Sequence, residues 1–151
     1  GQQVLSGSRE AVERAVTLAK ARGARRSVLL QVSAPFHCAL MQPAAMRLAT
    51  AIQALQFAAP TVPVIANVTA EPVDTPASIG ELLVQQVTAR VRWRESMNTM
   101  VRLGIDQLLE FGAGKVLSGL AKRGVPGARL SNIQDPADVE AVAAQLVGEV
   151  A

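Results

Sequence analysis

Ile105 to Ile133 reads "IDQLLEFGAGKVLSGLAKRGVPGARLSNI", and this stretch decides the class of fold. Its opening, "IDQLLEF", is a short, mostly apolar run of strand length, and "ARLSNI" at its end is another. Between them Phe111-Gly112-Ala113-Gly114-Lys115-Val116 makes a glycine-rich turn, after which Leu117, Leu120 and Ala121 recur at helical spacing until Gly124. Strand, turn, helix and strand in that order build parallel pairs, because a parallel return needs a crossover long enough to hold a helix. The stretch therefore predicts an α/β layered fold with a mainly parallel sheet.

The rest of the chain follows the same alternation. "QVLS" at Gln3 to Ser6 is strand-like. Ser8 is placed as the N-cap of a helix that carries Glu10 in its first turn and closes at Arg22-Gly23. "SVLLQVS", Ser27 to Ser33, reads as a strand ending before the Pro35 loop. From Leu40 to Gln56, Met41, Ala45, Leu48, Ile52 and Leu55 recur at spacings of four and three and mark one helix face, with Pro43 in the first turn. "VPVIANV", Val62 to Val68, reads as a buried strand. Ser78-Ile79-Gly80-Glu81 has capping-box spacing, predicting a helix from about Ile79 to Thr88 with Gln86 near its end. A helix from Trp93 to about Leu103 stops at Gly104, and Asp135-Pro136 opens a last one whose apolar face is Val139, Val142, Ala143, Leu146 and Val147.

Composition narrows what such a fold can do. With 151 residues, half of them hydrophobic, the chain can bury a sizeable core, yet aromatics are only 3% and Tyr is absent. That core must be aliphatic. Charged or amide side chains interrupt each apolar run before the roughly 18 to 20 residues that span a bilayer, which argues against a membrane role. A single cysteine cannot make an internal disulfide, and with no secretory leader pattern the expectation is a cytoplasmic protein. Lys and Arg outnumber Asp and Glu by 15 to 12, too little for nucleic-acid binding. The clusters Lys20, Arg22, Arg25, Arg26 and Arg90, Arg92, Arg94 read either as solvated surface or as docking sites for an acidic partner.

Three candidate sites can be weighed on their chemistry. The glycine turn is tested as a phosphate cradle, because backbone N–H groups at a helix N-terminus attract anions. It fails the P-loop pattern, since Val116 stands where Ser or Thr should hold magnesium and Leu109 occupies the first glycine position. A metal centre would need three or four convergent ligands, whereas the only histidine and the only cysteine, His37 and Cys38, are neighbours that diverge. The same adjacency makes His37 a poor base for a Cys38 nucleophile. His37 alone sits just after a strand end, where α/β sheets collect reactive groups, so it is either a structural surface residue or a base. No G-x-S-x-G elbow occurs in the chain.

The ordered segments "SGSREAVERA", "VSAPFHCALM", "FAAPTVPVIANVTAEPV", "VQQVTARVRWRESM" and "EFGAGKVLSGLAKR" resemble the C-terminal half of a malonyl-CoA:acyl carrier protein transacylase of bacterial type II fatty acid synthesis. The resemblance covers essentially the whole chain. It implies part of an α/β-hydrolase-like core, residues 34–151, preceded by a portion of a ferredoxin-like small subdomain, residues 1–33. In that family a serine attacks the malonyl thioester with a histidine as general base, and a glutamine main-chain carbonyl orients the imidazole, the part aspartate takes in a serine triad. By position His37 matches the histidine and Gln86 the glutamine, with Gln85 as the neighbour one register away. Phe36 matches the position that favours malonyl over methyl-branched acyl groups, and Ala113 replaces the family's usual proline in the glycine turn.

The resemblance further implies ping-pong malonyl transfer from CoA to the phosphopantetheine thiol of acyl carrier protein, with malonyl-CoA as substrate and no cofactor. Expected partners are acyl carrier protein, malonyl-CoA and an N-terminal half bearing the serine; nucleic acid and membrane are excluded. Since nothing before Gly1 supplies the serine elbow, the chain alone is expected to be inactive. Two alternatives remain: a piece of a polyketide synthase acyltransferase domain, and a non-catalytic module that binds a carrier protein.

Overall fold

Ser8 begins the first helix as its spacing predicts, its hydroxyl accepting the Ala11 N–H at 3.3 Å, and α1 runs over Arg9–Ala21. The computed structural model describes residues 2–148. It divides into two compact units, Gly1–Arg92 and Trp93–Ala151.

In the first unit a short 3-10 turn, Ala39–Met41, leads into α2 (Gln42–Gln53), with Pro43 in its first turn where no intrahelical donor is lost. Ala45 on the predicted apolar face is buried, whereas Leu55 lies past the helix end and is exposed. Next come β1 (Val64–Ile65) and β2 (Pro72–Val73), an antiparallel pair closed by a turn in which Ala70 takes a positive φ of 62°. Helix α3 covers Pro76–Thr88 and packs on α2 through Gly80, where an added Cβ would lie 3.2 Å from Ile52 Cγ2 and 3.4 Å from the Phe57 ring.

The second unit contains the stretch that decided the class. Helix α4 (Trp93–Arg102) ends in a Schellman closure. There Gly104, at φ 72°, gives its N–H to Val101 O, and Ile105 N–H reaches back to Met100 O. Strands β3 (Gln107–Phe111) and β4 (Arg129–Ile133) pair in parallel, Gln107 opposite Arg129 through Phe111 opposite Ile133, and α5 (Val116–Gly124) is their crossover. Helix α6 (Pro136–Gly148) starts with reciprocal caps: Asp135 accepts the Asp138 N–H, and the Asp138 carboxylate accepts the N–H of Gln134. Met97, Ala121, Val125, Ile133 and Val142 are the buried apolar side chains here.

Several expectations need correction. Gln3 to Ser6 and Ser27 to Ser33 form no strands, because neither segment finds a ladder partner among the described residues; Val4, Leu5, Val28, Leu29, Leu30 and Val32 are all half or more exposed. The strand expected over Val62 to Val68 shrinks to two residues and is antiparallel, since Pro63 has no N–H to give and the chain turns at Asn67. Helix α3 starts at Pro76, three residues earlier than the Ser78 reading, and Thr75 Oγ1 donates to Ser78 Oγ instead of a capping box forming. The α/β class holds, but parallel pairing among the described residues is confined to β3 and β4. Of the α6 face, Val142 is buried while Val139 and Val147 are exposed.

Two glycines of α5 give opposite expectations. A Cβ on Gly124 would collide with the Sδ, Cε and Cβ of buried Met97, while one on Gly119 meets nothing within 4 Å. Gly124→Ala should destabilise the chain by about 1–3 kcal/mol through overpacking. Gly119→Ala should stabilise it by about 0.5–1 kcal/mol through backbone entropy alone. Urea midpoints of the two variants, moving in opposite directions, are the measurement.

Candidate functional site

The last turn of α3 leaves carbonyls with no helical partner, as every helix end does. Ala89 leaves the helix in an extended conformation, φ −87° and ψ 153°, so the chain cannot return N–H groups to Gln86 and Val87. Both carbonyls are taken by one residue. The His37 backbone N–H donates to Val87 O at 3.3 Å, and its ring Nδ1 lies 3.0 Å from Gln86 O. A carbonyl can only accept, so Nδ1 carries a hydrogen and donates it.

The loop is shaped to allow this double contact. His37 has φ 61°, in the left-handed region where non-glycine residues are uncommon and histidine is among the better tolerated. Pro35 fixes the preceding backbone, Phe36 N–H bonds to Ala34 O at 2.9 Å, and the Cys38 thiol donates to Pro35 O at 3.1 Å. Cys38 is thus tied to its own loop. Among the described residues no group of three His, Cys, Asp or Glu side chains is arranged to hold a metal.

Gln86 contributes through its side chain too. Its Nε2 donates to Ala89 O at 3.0 Å, and the same nitrogen lies 3.4 Å from His37 Nδ1. Since both of those nitrogens bear hydrogen, the second approach is a packing contact, and the bond to Ala89 fixes which end of the amide faces the ring. The neighbouring Gln85 differs, for its carbonyl accepts the Ala89 N–H at 2.9 Å within the helix end. Phe36, next to His37 in the sequence, is 45% exposed. Val87 and Ala89 escaped the sequence reading because they act through backbone atoms that no side-chain type announces.

The glycine turn is already filled. Glu110, the penultimate residue of β3, accepts Leu117 N–H at 2.9 Å and Ser118 N–H at 2.8 Å, the open donors of the α5 N-terminus. Asn132 on β4 donates to the same carboxylate at 2.9 Å and to Ser118 Oγ at 2.9 Å. Gly112 and Gly114 take φ values of 112° and 93°, and Gly114 N–H goes to Gln134 Oε1. An internal anion occupies the position a phosphate would need. Hydrogen bonds from the Ser118 side chain and backbone, ahead of those from Leu117 and Asn132, hold the Glu110 carboxyl down at about 2.

No protein-family model matches the chain. It is 44% identical over 145 residues to the malonyl CoA-acyl carrier protein transacylase of Salmonella typhimurium, covering 96% of this chain and 47% of that relative. Its structure is similar to a crystal structure of acyl-carrier-protein-S-malonyltransferase from Bartonella henselae, with a TM-score of 0.86, 47% identity, and coverage of 94% of this chain and 45% of the other. A type II PKS acyl-carrier protein in complex with its malonyl-transacylase is matched at a TM-score of 0.82 and 42% identity, over 87% of this chain and 43% of that one. The chain spans about half the length of the curated relatives it matches.

Folding holds the Glu110 pKa below its ordinary 4.5, so the stabilisation is complete above pH 4.5 and is lost as pH falls from there towards 2. Glu110→Gln should lower the urea midpoint at pH 7 and flatten the acid limb across that window. An acid limb as steep as the wild type's would contradict the assignment.

Proposed function

Taking homology to malonyl CoA-acyl carrier protein transacylases as the premise, we propose that this chain carries the base side of a malonyl transfer reaction, with His37 as general base and Gln86 as its orienting group. The observation that carries the reading is the 3.0 Å approach of His37 Nδ1 to the Gln86 carbonyl, which engages Nδ1 as a donor and makes Nε2 the nitrogen left to exchange a proton. A general base needs such a ring, its tautomer fixed by one nitrogen and its lone pair offered by the other.

The steps then balance without a cofactor. Nε2 takes the proton of a serine hydroxyl as its oxygen attacks the thioester carbonyl of malonyl-CoA, and the imidazolium returns that proton to the departing CoA thiolate. In the second half-reaction Nε2 deprotonates the phosphopantetheine thiol of acyl carrier protein, whose sulfur attacks the malonyl-serine ester, and the serine oxygen recovers the proton. The serine comes from outside these residues, since no G-x-S-x-G occurs among them, and the chain alone is inactive in this reading. Residues 34–151 contribute to an α/β-hydrolase-like core and residues 1–33 to a ferredoxin-like subdomain, in a cytoplasmic enzyme. Lys122 and Arg123, in the last turn of α5, suit an acidic carrier protein.

Phe36 gives the site a means of acyl selection. A bulky ring adjoining the base crowds a methyl branch on the acyl α-carbon and leaves malonyl unhindered, and discrimination of one methyl group amounts to about 10- to 200-fold.

In a protein that carries this chain together with the serine, His37→Ala should slow malonyl loading by about 10²- to 10⁴-fold, the usual contribution of a general base. Loading at the wild-type rate would remove His37 from the reaction. Phe36→Ala should raise kcat/KM for methylmalonyl-CoA relative to malonyl-CoA by about tenfold or more. An unchanged ratio would make the ring a packing residue only.

A further inference from the structure

No glycine or proline stop stands where α3 ends. From Glu81 to Arg92 neither residue occurs, and Ala89 and Arg90 rank among the best helix formers. A helix continued past Thr88 would give the Arg90 N–H to Gln86 O, the Val91 N–H to Val87 O and the Arg92 N–H to Thr88 O. The first two are the carbonyls that His37 uses. Instead Arg92 is held elsewhere in the same compact unit. Its backbone N–H donates to Asn67 O at 2.8 Å, and its guanidinium Nη1 donates to Thr69 O at 2.9 Å. Both acceptors lie in the turn between β1 and β2, closed by Ala70 N–H on Ala66 O at 2.7 Å and Ala66 N–H on Glu71 O at 3.1 Å. Ala70 is buried at φ 62°, a left-handed backbone that persists only where its surroundings enforce it, so this turn is a firm anchor.

Resting on the functional reading above, we propose that Arg92 is a positioning residue for His37: by pinning residues 89–92 to the turn at Asn67 and Thr69, it stops α3 at Thr88 and leaves the Gln86 and Val87 carbonyls to the histidine. Two sets of donors compete for those acceptors. One is local, the N–H groups of Arg90 and Val91, which a growing helix supplies at the cost of one residue's freedom per bond. The other, His37, comes from 49 positions away and carries the entropy cost of a long loop closure. The two Arg92 bonds tip the balance by drawing the chain out of the helical path. The Gln86 amide helps from the helix side, since its bond to Ala89 O at 3.0 Å is made to a residue already extended at ψ 153°. Arg92 is thus no solvated arginine, being half-buried and turned onto a main-chain carbonyl. It acts on the ring only through the carbonyl that orients it.

His37 is the only histidine, so the full chain grown with isotope-labelled histidine reports a single imidazole by NMR. Its ring nitrogen–hydrogen correlations show which nitrogen holds a hydrogen, and backbone chemical shifts show where α3 ends; neither needs turnover. Arg92→Ala should abolish the hydrogen-bonded Nδ1–H signal and extend α3 over residues 89–91. Adding Arg90→Pro should restore both, because proline has no N–H to offer Gln86 O and confines Ala89 to the extended backbone it already has. In a protein that also carries the serine, Arg92→Ala should slow malonyl loading by about 10- to 10²-fold, and Arg90→Pro should recover most of that loss. A ring signal and helix end unchanged in folded Arg92→Ala would overturn the inference, as would a lost signal that Arg90→Pro fails to restore. If the single variant does not fold, the double variant decides: a folded chain with the wild-type ring signal upholds the helix stop, and any other result rejects it. A ring signal that follows the variants while loading does not would keep the positioning and remove His37 from the chemistry, so the two readings fail separately.

Discussion

A helix that ends early leaves acceptors behind, and the site is built from that shortage. Extended Ala89 denies α3 the donors that would have closed its last turn, and His37 supplies two of them from a distant part of the sequence. A buried or half-buried carbonyl without a donor costs on the order of 1–3 kcal/mol, so the helix end and the histidine loop are held to each other by more than packing. This contact fixes the loop at φ 61° and the ring tautomer, and through the Gln86 amide it fixes the helix end. Remove it and the loop has its own short-range bonds but nothing that aims the ring.

The glycine turn shows the same principle with the opposite sign. There the shortage is of acceptors for the N–H groups of α5, and Glu110 supplies them from the adjoining strand. Asn132 from the parallel neighbour ties β4 into the same cluster, so one carboxylate joins both strands to their crossover helix. A turn that resembles a ligand cradle in its glycines is here a closed structural joint.

Legibility followed the range of the interactions. Helices were read well because their signals are local: Ser8, Pro43, Gly104 and Asp135-Pro136 each act within a turn of where they stand. Strands were read badly, since "QVLS" and "SVLLQVS" have the composition of strands but find no ladder partner among the described residues, and composition cannot supply one. The β3-turn-α5-β4 unit was legible because its partner strand lies within the same stretch. For the site, His37 and its location after a proline could be picked out, but the pairing with Gln86 spans 49 positions and runs through a main-chain carbonyl. Nothing in the residue types at 86 and 87 encodes that, and only the resemblance to a family pointed to position 86. Glu110 passed unnoticed for the reverse reason: a charged residue at a strand end looks like ordinary surface until the helix N-terminus is seen above it.

The two bonds His37 makes have a consequence for motion. Both use hydrogens that are present whether the ring is neutral or cationic, the backbone N–H and Nδ1–H, so a proton arriving at Nε2 or leaving it changes neither partner nor direction. The loop has one resting geometry for both charge states. In the proposed reaction, proton transfer at this ring would carry little reorganisation of its surroundings, because the dipole of the Gln86 carbonyl already points the way the new charge requires.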